Sequence, residues 1–302
     1  MLGWIAAAAR ANAPRRHAPT LVKDHAMDLG VMVNIYEETE FTGAFEDAVE
    51  AGFKHGQVNV FLPRITPEEV RLLALAARQA NFTVDAVGCY FNPLRPDDSS
   101  LHHVDFTDWK TVAANMSMMN GVERIVCWSG TLGKTLTTPN LLNQEEDTFN
   151  GVVSAIRGMI EEVKGLRVEI LLEPFTAHVL CDGKTCTRLT QKFPGGEVKI
   201  VLDAPNIISH KEFVHRDQRV QEFVAEVGTS VGIVHLKDMA RDDNGHRRFP
   251  RAGAGVLDYA AYLRAIAERT PEVPVIIDHV YSVREMIAAR QFVESVVRET
   301  GM

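Results

Sequence analysis

Short apolar runs alternate with longer amphipathic stretches along most of the chain, and this alternation constrains the fold more than any other feature. Eight runs rich in Val and Ile predict strands at 28–34, 55–61, 83–91, 124–129, 167–175, 199–206, 232–237 and 274–280. Their nearly continuous apolar cores are typical of parallel strands that are covered on both faces. The stretches between and after them predict helices at 44–51, 67–79, 107–119, 144–163, 217–226, 257–269 and 283–298.

This succession of strands and helices contains no linker and no low-complexity block. It therefore predicts one α/β domain, a single (β/α)₈ TIM barrel over residues 27–302, and a chain of 302 residues is long enough for it. A doubly wound open sheet is the alternative. It is disfavoured because no predicted strand is followed by a G-x-G-x-x-G or Walker loop.

The first 26 residues differ in composition from the rest, being rich in Ala and in basic residues. We expect residues 1–26 to be a disordered or partly helical leader, or to precede a true start at Met27. A transit peptide is a further interpretation, because the segment carries several Arg residues and few acids. The fold argument begins at Met27.

The overall charge makes nucleic acid an unfavourable partner. The chain has 40 acidic and 32 basic residues, a formal net charge of −8, which does not attract a phosphate backbone. No apolar run reaches the roughly 18 residues of a membrane span, so we expect no membrane association. These features predict a cytoplasmic protein.

The four cysteines are too few for a disulfide framework in a chain of this length. Cys89 and Cys127 lie in strand-like runs and are expected to be small buried apolar residues. Cys181 and Cys186 flank Asp-Gly-Lys-Thr in a predicted loop, where we expect two reduced thiols and keep a disulfide as the alternative.

Four of the predicted strands end in a side chain that can bind a metal ion. These side chains are Glu173, Asp203, His235 and Asp278, separated by 30, 32 and 43 residues. Each interval suits one crossover through a helix, so the four can converge at the carboxyl ends of parallel strands. A single acid there is usually a helix cap or an ion-pair partner, but four successive strands are hard to explain in that way. Three carboxylates and one imidazole suit Mn²⁺, Mg²⁺ or Co²⁺, and predict a metal-dependent enzyme.

The same segments resemble a known family. LLEPF, VLDAPN, VHLKD with the following PRAGAGVLDY, and VIIDHV occur in the order found in the sugar phosphate isomerase/epimerase family. This family belongs to the xylose-isomerase-like TIM-barrel superfamily, together with ketose 3-epimerases and inosose dehydratases. The resemblance covers Met27 to the C-terminus. It implies one divalent ion, Mn²⁺ before Mg²⁺ or Co²⁺, bound by Glu173, Asp203, His235 and Asp278, the last standing where the family has Glu.

The resemblance also implies an activity. It is that of an isomerase or epimerase that abstracts a proton next to the carbonyl of a sugar or keto-sugar, through a metal-stabilised enediolate. Glu173 and Asp278 take the catalytic acid–base roles. A lyase, either an inosose-type dehydratase or an enzyme cleaving 3-keto sugars, is the alternative, and a non-catalytic sugar-binding subunit is a third. Endonuclease IV, a DNA-repair relative, is disfavoured because Asn206 stands where a His ligand would be expected.

Five residues are predicted to bind the carbohydrate substrate: Arg241, Lys237, His178, Asn206 and Trp128. Arg241 corresponds to a substrate-orienting Arg of the epimerases, and Lys237 alternates with His235 along its strand. Amide and aromatic side chains at strand ends are expected to line the pocket: Asn34, Tyr36, Asn59, Phe91, Trp128 and Phe175. His279 is expected to have a structural role. By analogy, we expect a homo-oligomer or a partner subunit.

Overall fold

The computed structural model describes residues 27–100, 103–119, 121–270 and 272–302. Eight parallel strands form a closed barrel. They are β1 Leu29–Ile35, β2 His55–Val60, β3 Thr83–Gly88, β4 Arg124–Trp128, β5 Glu169–Glu173, β6 Val198–Leu202, β7 Val231–Leu236 and β10 Val275–Ile277. Their order around the barrel is β1-β10-β7-β6-β5-β4-β3-β2. The predicted single (β/α)₈ barrel is confirmed. The predicted leader, residues 1–26, lies outside the described residues.

The helices between the strands cover the outside of the barrel. They are α1 Phe41–Glu50, α2 Pro67–Gln79, α3 Phe106–Asn115, α4 Glu146–Glu162, α5 Gly183–Thr190, α6 Arg216–Val227, α7 Tyr259–Arg269 and α8 Val283–Thr300. Seven of them correspond to predicted helices. The prediction missed α5, where it placed a loop, because this helix has only 8 residues and no long apolar stripe. Its start is marked by Asp182, whose side chain accepts a hydrogen bond from the Thr185 backbone N–H.

Alternation along the strands divides the apolar side chains into two separate buried clusters. The large cluster packs between the strands and the helices. The small cluster fills the interior of the barrel and takes residues from every barrel strand or its carboxyl end: Met32, Phe61, Ala86, Tyr90, Val126, Leu171, Val201, Ile233 and Ile276. Successive side chains of a strand point to opposite faces. The position of one interior residue therefore determines whether each remaining side chain on its strand points into the barrel or out of it.

A short antiparallel hairpin interrupts the connection between the last two barrel strands. Its strands are β8 Ala240–Arg241 and β9 Arg247–Arg248, and it follows β7 at the carboxyl end of the barrel. The sequence pattern did not predict it, because two-residue strands are too short to show any periodicity. Because it lies at the carboxyl end of the barrel, the hairpin is at the end where active sites are found in this architecture.

The amino end of the barrel contains a large cavity of about 950 Å³. His55 lies on its lining, where Nδ1 is 2.5 Å from an Asp85 carboxylate oxygen and Nε2 is 3.2 Å from one of Asp28. The hydrogen bond to Asp85 raises the pKa of His55, although burial opposes the shift. This end of such barrels contributes to stability rather than to catalysis, so the cavity is not the candidate site.

All four cysteines are free thiols. Cys89 and Cys127 are buried, as predicted. Cys186 is also buried, but it lies in α5 and not in the expected loop. Within the part of the chain that the structure describes, no helix is both long and apolar enough to span a membrane.

Candidate metal centre

Strand alternation places polar side chains at the carboxyl mouth of the barrel. On four strands, the interior apolar residue is followed two positions later by a predicted site residue: Leu171 by Glu173, Val201 by Asp203, Ile233 by His235, and Ile276 by Asp278. On β7 the same step from His235 leads to Lys237. Interior packing and site placement therefore have one cause, the two-residue period of a strand.

Glu173, Asp203 and His235 form a compact buried group. Their candidate ligand atoms all lie within 4.8 Å of one another, and the residues are only 4%, 0% and 0% exposed. Asp203 Oδ1 and His235 Nδ1 have no hydrogen-bond partner among the described residues. Buried polar atoms without partners are costly, and a cation bound between them would remove that cost. The three side chains thus fit a divalent metal ion.

A glutamine on β2 orients the histidine. Gln57 is fully buried, and its Oε1 lies 3.0 Å from His235 Nε2, so Nε2–H donates to it. This leaves the lone pair on Nδ1, which lies 3.6 Å from Glu173 Oε2. Burial lowers the pKa of His235 and favours the neutral ring, although the neighbouring carboxylates oppose it. A neutral imidazole with its free nitrogen facing the carboxylates is the form that binds a metal.

Two further side chains hold the carboxylates. Tyr90 Oη donates to Glu173 Oε2 at 2.7 Å, while Asn206 Nδ2 donates to Glu173 Oε1 at 2.8 Å and to Asp203 Oδ2 at 3.0 Å. Burial, followed by the charge of Asp203, raises the pKa of Glu173 to about 8, against the opposing effect of Lys237. The site is therefore deficient in positive charge, and a bound cation would correct this.

Lys237 supplies an ammonium group at the carboxylates. Its Nζ lies 2.6 Å from Asp203 Oδ2 and 3.7 Å from Asp278 Oδ2, and the residue is 3% exposed. Burial alone would lower the pKa of Lys237, but Asp203, Asp278 and Glu173 together raise it above its ordinary value. When all three carboxylates are ionised, they and the one ammonium carry a net charge of −2, which a divalent ion would neutralise.

Asp278 lies beside the compact group and not within it, because its oxygens do not meet the 4.8 Å spacing. The next residue, His279, has a left-handed backbone with φ of 55°, and its N–H donates to Asp278 Oδ1 at 2.6 Å. Burial would raise the pKa of Asp278, but His279, Lys237 and His235 lower it to about 2. A strained backbone that aims a carboxylate into a site suggests a functional role for it.

The other predicted substrate-binding residues occupy different positions around the mouth. Trp128 lies at the end of β4, its ring 4.8 Å from that of Tyr90. His178 packs edge-on against Trp128 at 5.3 Å, and its nitrogens contact Ser129 Oγ and the Leu136 carbonyl. Both nitrogens therefore have protein partners. Arg241 is exposed on β8, where it donates to the His210 carbonyl at 2.8 Å.

The structure corrects one interpretation of the pocket lining. Phe91 does not line the mouth, because it packs outward against Phe106 and Trp109, and the inward position belongs to Tyr90. The carboxylate of Asp238, the residue after Lys237, accepts hydrogen bonds from the backbone N–H groups of Met239, Gly255 and Leu257 and so fixes the glycine-containing loop after the hairpin.

Sequence reasoning missed Gln57 and Tyr90. Both lie in predicted strands, but a single Gln or Tyr in an apolar run gives no sign of a partner on another strand. Alternation from Asn59 would have placed Gln57 inside the barrel, since the two residues are two positions apart and their side chains are hydrogen-bonded at 2.8 Å.

The barrel fold agrees with the family to which the sequence is similar. Residues 45–295 match the family of xylose isomerase-like TIM barrels, and the chain belongs to this family. No curated protein matches the sequence significantly.

Solved structures with the same fold include several sugar epimerases. D-psicose 3-epimerase, determined in the presence of D-fructose, is 14% identical with a TM-score of 0.65, over 91% of this chain and 100% of that one. The 3-keto-D-glucoside 4-epimerase of E. coli is 14% identical with a TM-score of 0.64, over 90% and 99%. A xylose isomerase-like barrel protein from Mycobacterium smegmatis, in complex with magnesium, is 12% identical with a TM-score of 0.67, over 90% and 97%.

Proposed function

We propose that this protein is a divalent-metal-dependent isomerase or epimerase that moves a proton at a carbon next to the carbonyl of a sugar or keto-sugar. The observation that carries this proposal is the buried group of Glu173, Asp203 and His235, in which one atom each of Asp203 and His235 lacks a partner. The epimerases among the structural neighbours support the same class of reaction.

Glu173, Asp203 and His235 would hold the ion, with Asp278 as the fourth candidate ligand. When bound, the ion supplies Lewis-acid stabilisation of negative charge on the substrate oxygen. Mg²⁺ has support from the neighbour in complex with magnesium, and Mn²⁺ is our proposal from the mixed carboxylate and imidazole ligands.

Two carboxylates are available for proton transfer. Glu173 is fixed by Tyr90 and Asn206, and Asp278 is fixed by the backbone of His279. Lys237 lies close to Asp278 and to Asp203, so its ammonium can hydrogen-bond a substrate hydroxyl while it balances their charge. One carboxylate removes the proton, and the other returns a proton to the same carbon or to its neighbour.

The mouth of the barrel suits a polyhydroxylated substrate. An aromatic wall of Tyr36, Phe61, Tyr90 and Trp128 runs along one side, with successive ring centroids 5.0, 6.2 and 4.8 Å apart. Lys237 and Asp278 belong to the strands opposite. A pocket with one apolar and one charged side matches the C–H and O–H surfaces of a sugar.

The first experiment is proton NMR in D₂O with the Mg²⁺-loaded protein and a panel of ketoses, inososes and 3-keto glycosides. We expect deuterium at the carbon beside the carbonyl, together with a new epimer or isomer. Glu173→Gln and Asp278→Asn should each lower the exchange rate by at least 100-fold. Glu169→Gln, at the amino end of the same strand as Glu173 and paired with Lys199, should retain it and serves as the matched control.

Three other results would change the assignment. Loss of the same proton with release of a leaving group would make the protein a lyase. Exchange that survives in both carboxylate variants would remove their proposed roles. Failure of the wild-type protein to bind one divalent ion per chain would reject the metal-dependent mechanism.

A further inference from the structure

Arg247, on the hairpin that follows β7, is a cation at the mouth of the barrel that the proposed chemistry does not use. Its guanidinium lies 5.3 Å from the ring centroid of Phe175 and 4.9 Å from that of Phe249. It donates to the Ile208 carbonyl and, at 3.3 Å, to Thr176 Oγ1. These contacts hold the side chain between the loops that follow β5 and β6.

This guanidinium lacks a counter-ion in the part of the chain that the structure describes. Among the described residues, no carboxylate forms an ion pair with Arg247, and the nearby Glu212 is paired with Arg219 at 3.0 Å. Burial lowers the pKa of Arg247, and the charge of Glu212 opposes this shift only in part. Its neighbour Arg248, in contrast, is paired with Asp242 at 2.8 Å. A partly buried cation with two aromatic neighbours and no anion is suited to receive one from outside.

We propose that Arg247 binds an oxyanion substituent of the substrate, a phosphate or a carboxylate, and so selects anionic over neutral sugars. This inference rests on the proposed sugar chemistry at the metal centre and names the class of substrate for that site. Arg247 is thereby a specificity-determining residue, distinct from the groups that transfer protons.

The spacing between the two cations agrees with this assignment. Lys237 Nζ lies 5.1 Å from the Phe249 ring centroid and Arg247 Cζ lies 4.9 Å from the same point, so they are at most 10.0 Å apart. Atoms in an extended chain advance about 1.2 Å per bond. A sugar of five or six carbons with its reacting end at Lys237 can therefore bring an anionic group on its far carbon to Arg247.

Phe249 connects this anion site to the catalytic carboxylate. Its carbonyl oxygen accepts a hydrogen bond from His279 Nδ1 at 2.6 Å, and His279 in turn holds Asp278. The hairpin that carries Arg247 is thus attached to the residue next to Asp278. An anion bound at Arg247 would be held at a fixed position relative to that carboxylate.

The test uses three ligands that differ only at carbon 6: D-fructose, D-fructose 6-phosphate and D-fructuronate. Their affinities for the Mg²⁺-loaded protein are measured by isothermal titration calorimetry. We expect at least one anionic ligand to bind about 10- to 100-fold more tightly than D-fructose, as for a charge-assisted hydrogen bond. The better of the two identifies the group as phosphate or carboxylate. Arg247→Gln should abolish the preference, Arg247→Lys should retain part of it, and Arg248→Gln, the matched control, should leave it unchanged.

Equal affinity for the three ligands, or a preference that survives in Arg247→Gln, would overturn the inference. If Arg247 only connects the loops, Arg247→Gln will lower the unfolding temperature without changing the ratio of anionic to neutral affinity. The proposed function is tested separately by deuterium exchange. Exchange without anion preference would reject this inference alone, whereas anion-selective binding without exchange on any ligand would reject the proposed chemistry.

Discussion

Replacing Gln57 by leucine should weaken metal binding, although Gln57 is not a candidate ligand. The substitution removes the acceptor that fixes His235 Nε2–H, and it removes the two donations from Gln57 to Asn59 and Tyr90. The ring of His235 can then rotate or change tautomer, so that Nδ1 no longer faces Glu173. Loss of such a supporting contact typically costs 10- to 100-fold in metal affinity.

The expected loss of metal affinity can be measured through its effect on protein stability. At a metal concentration of 100 times the wild-type Kd, binding stabilises the folded protein by about 2.7 kcal/mol. A 30-fold weaker site at the same concentration would contribute about 0.9 kcal/mol. For a chain of this size, the metal-induced rise in Tm should fall from about 5 °C to about 2 °C. Titration calorimetry with Mn²⁺ and scanning calorimetry with and without the ion measure the two quantities.

A control must separate orientation of the ring from loss of stability. Val58→Ala is suitable, because Val58 is the next residue on β2 and packs into the outer core. It should lower the free energy of unfolding by roughly 2 kcal/mol through lost burial and leave the metal affinity unchanged. Wild-type affinity in Gln57→Leu, or an equal loss of affinity in both variants, would refute the proposed orientation of His235.

Three further predictions concern pH and packing. Burial lowers the pKa of His178 to about 3, so its contribution to stability is full above pH 6.5. Below pH 6.5 the free energy of unfolding should decline by up to about 1.4 kcal/mol per pH unit, because the unfolded state takes up a proton there. Urea unfolding of His178→Gln should show a smaller decline. The pKa of His55 is raised, mainly by Asp85, so its contribution is full below pH 6.5 and is lost as pH rises through the folded-state pKa. His55→Gln should therefore destabilise the protein more at pH 5.5 than at pH 8.5, and equal losses would contradict the assignment. Gly88→Ala would place a Cβ 2.1 Å from Asn59 Oδ1, so a loss of about 1–3 kcal/mol in unfolding free energy is expected by thermal denaturation.

The barrel could be predicted because the sequence pattern that specifies it lies within short segments of the chain. Val- and Ile-rich runs with helical stretches between them require a parallel sheet, and the ends of four runs already carried Glu173, Asp203, His235 and Asp278. The structure brings the first three together and leaves Asp278 beside them, linked through Lys237. Whether Asp278 joins the metal ligands stays a prediction.

The remaining features depend on contacts between residues distant in sequence. Gln57 and His235 are 178 positions apart, and nothing in either run indicates that one supports the other. Phe91 and Tyr90 are adjacent, and the end of β3 decides which of them faces inward. The sequence does not distinguish Arg247 from the other basic residues of its loop, because the lack of a counter-ion can be recognised only in the structure.

The two-residue offset between interior and site residues limits how this chain can change. One residue inserted in β7 before His235 would turn the side chains of both His235 and Lys237 from the inside of the barrel to the outside. Insertions inside the strands should therefore abolish any activity. The hairpin of β8 and β9 lies outside this register, and it carries both Arg241 and Arg247. We expect changes in its length and sequence to leave Glu173 and Asp203 in their strand register. New substrate preferences are therefore accessible by mutation of 240–248 alone, and this is the segment to randomise in a search for them.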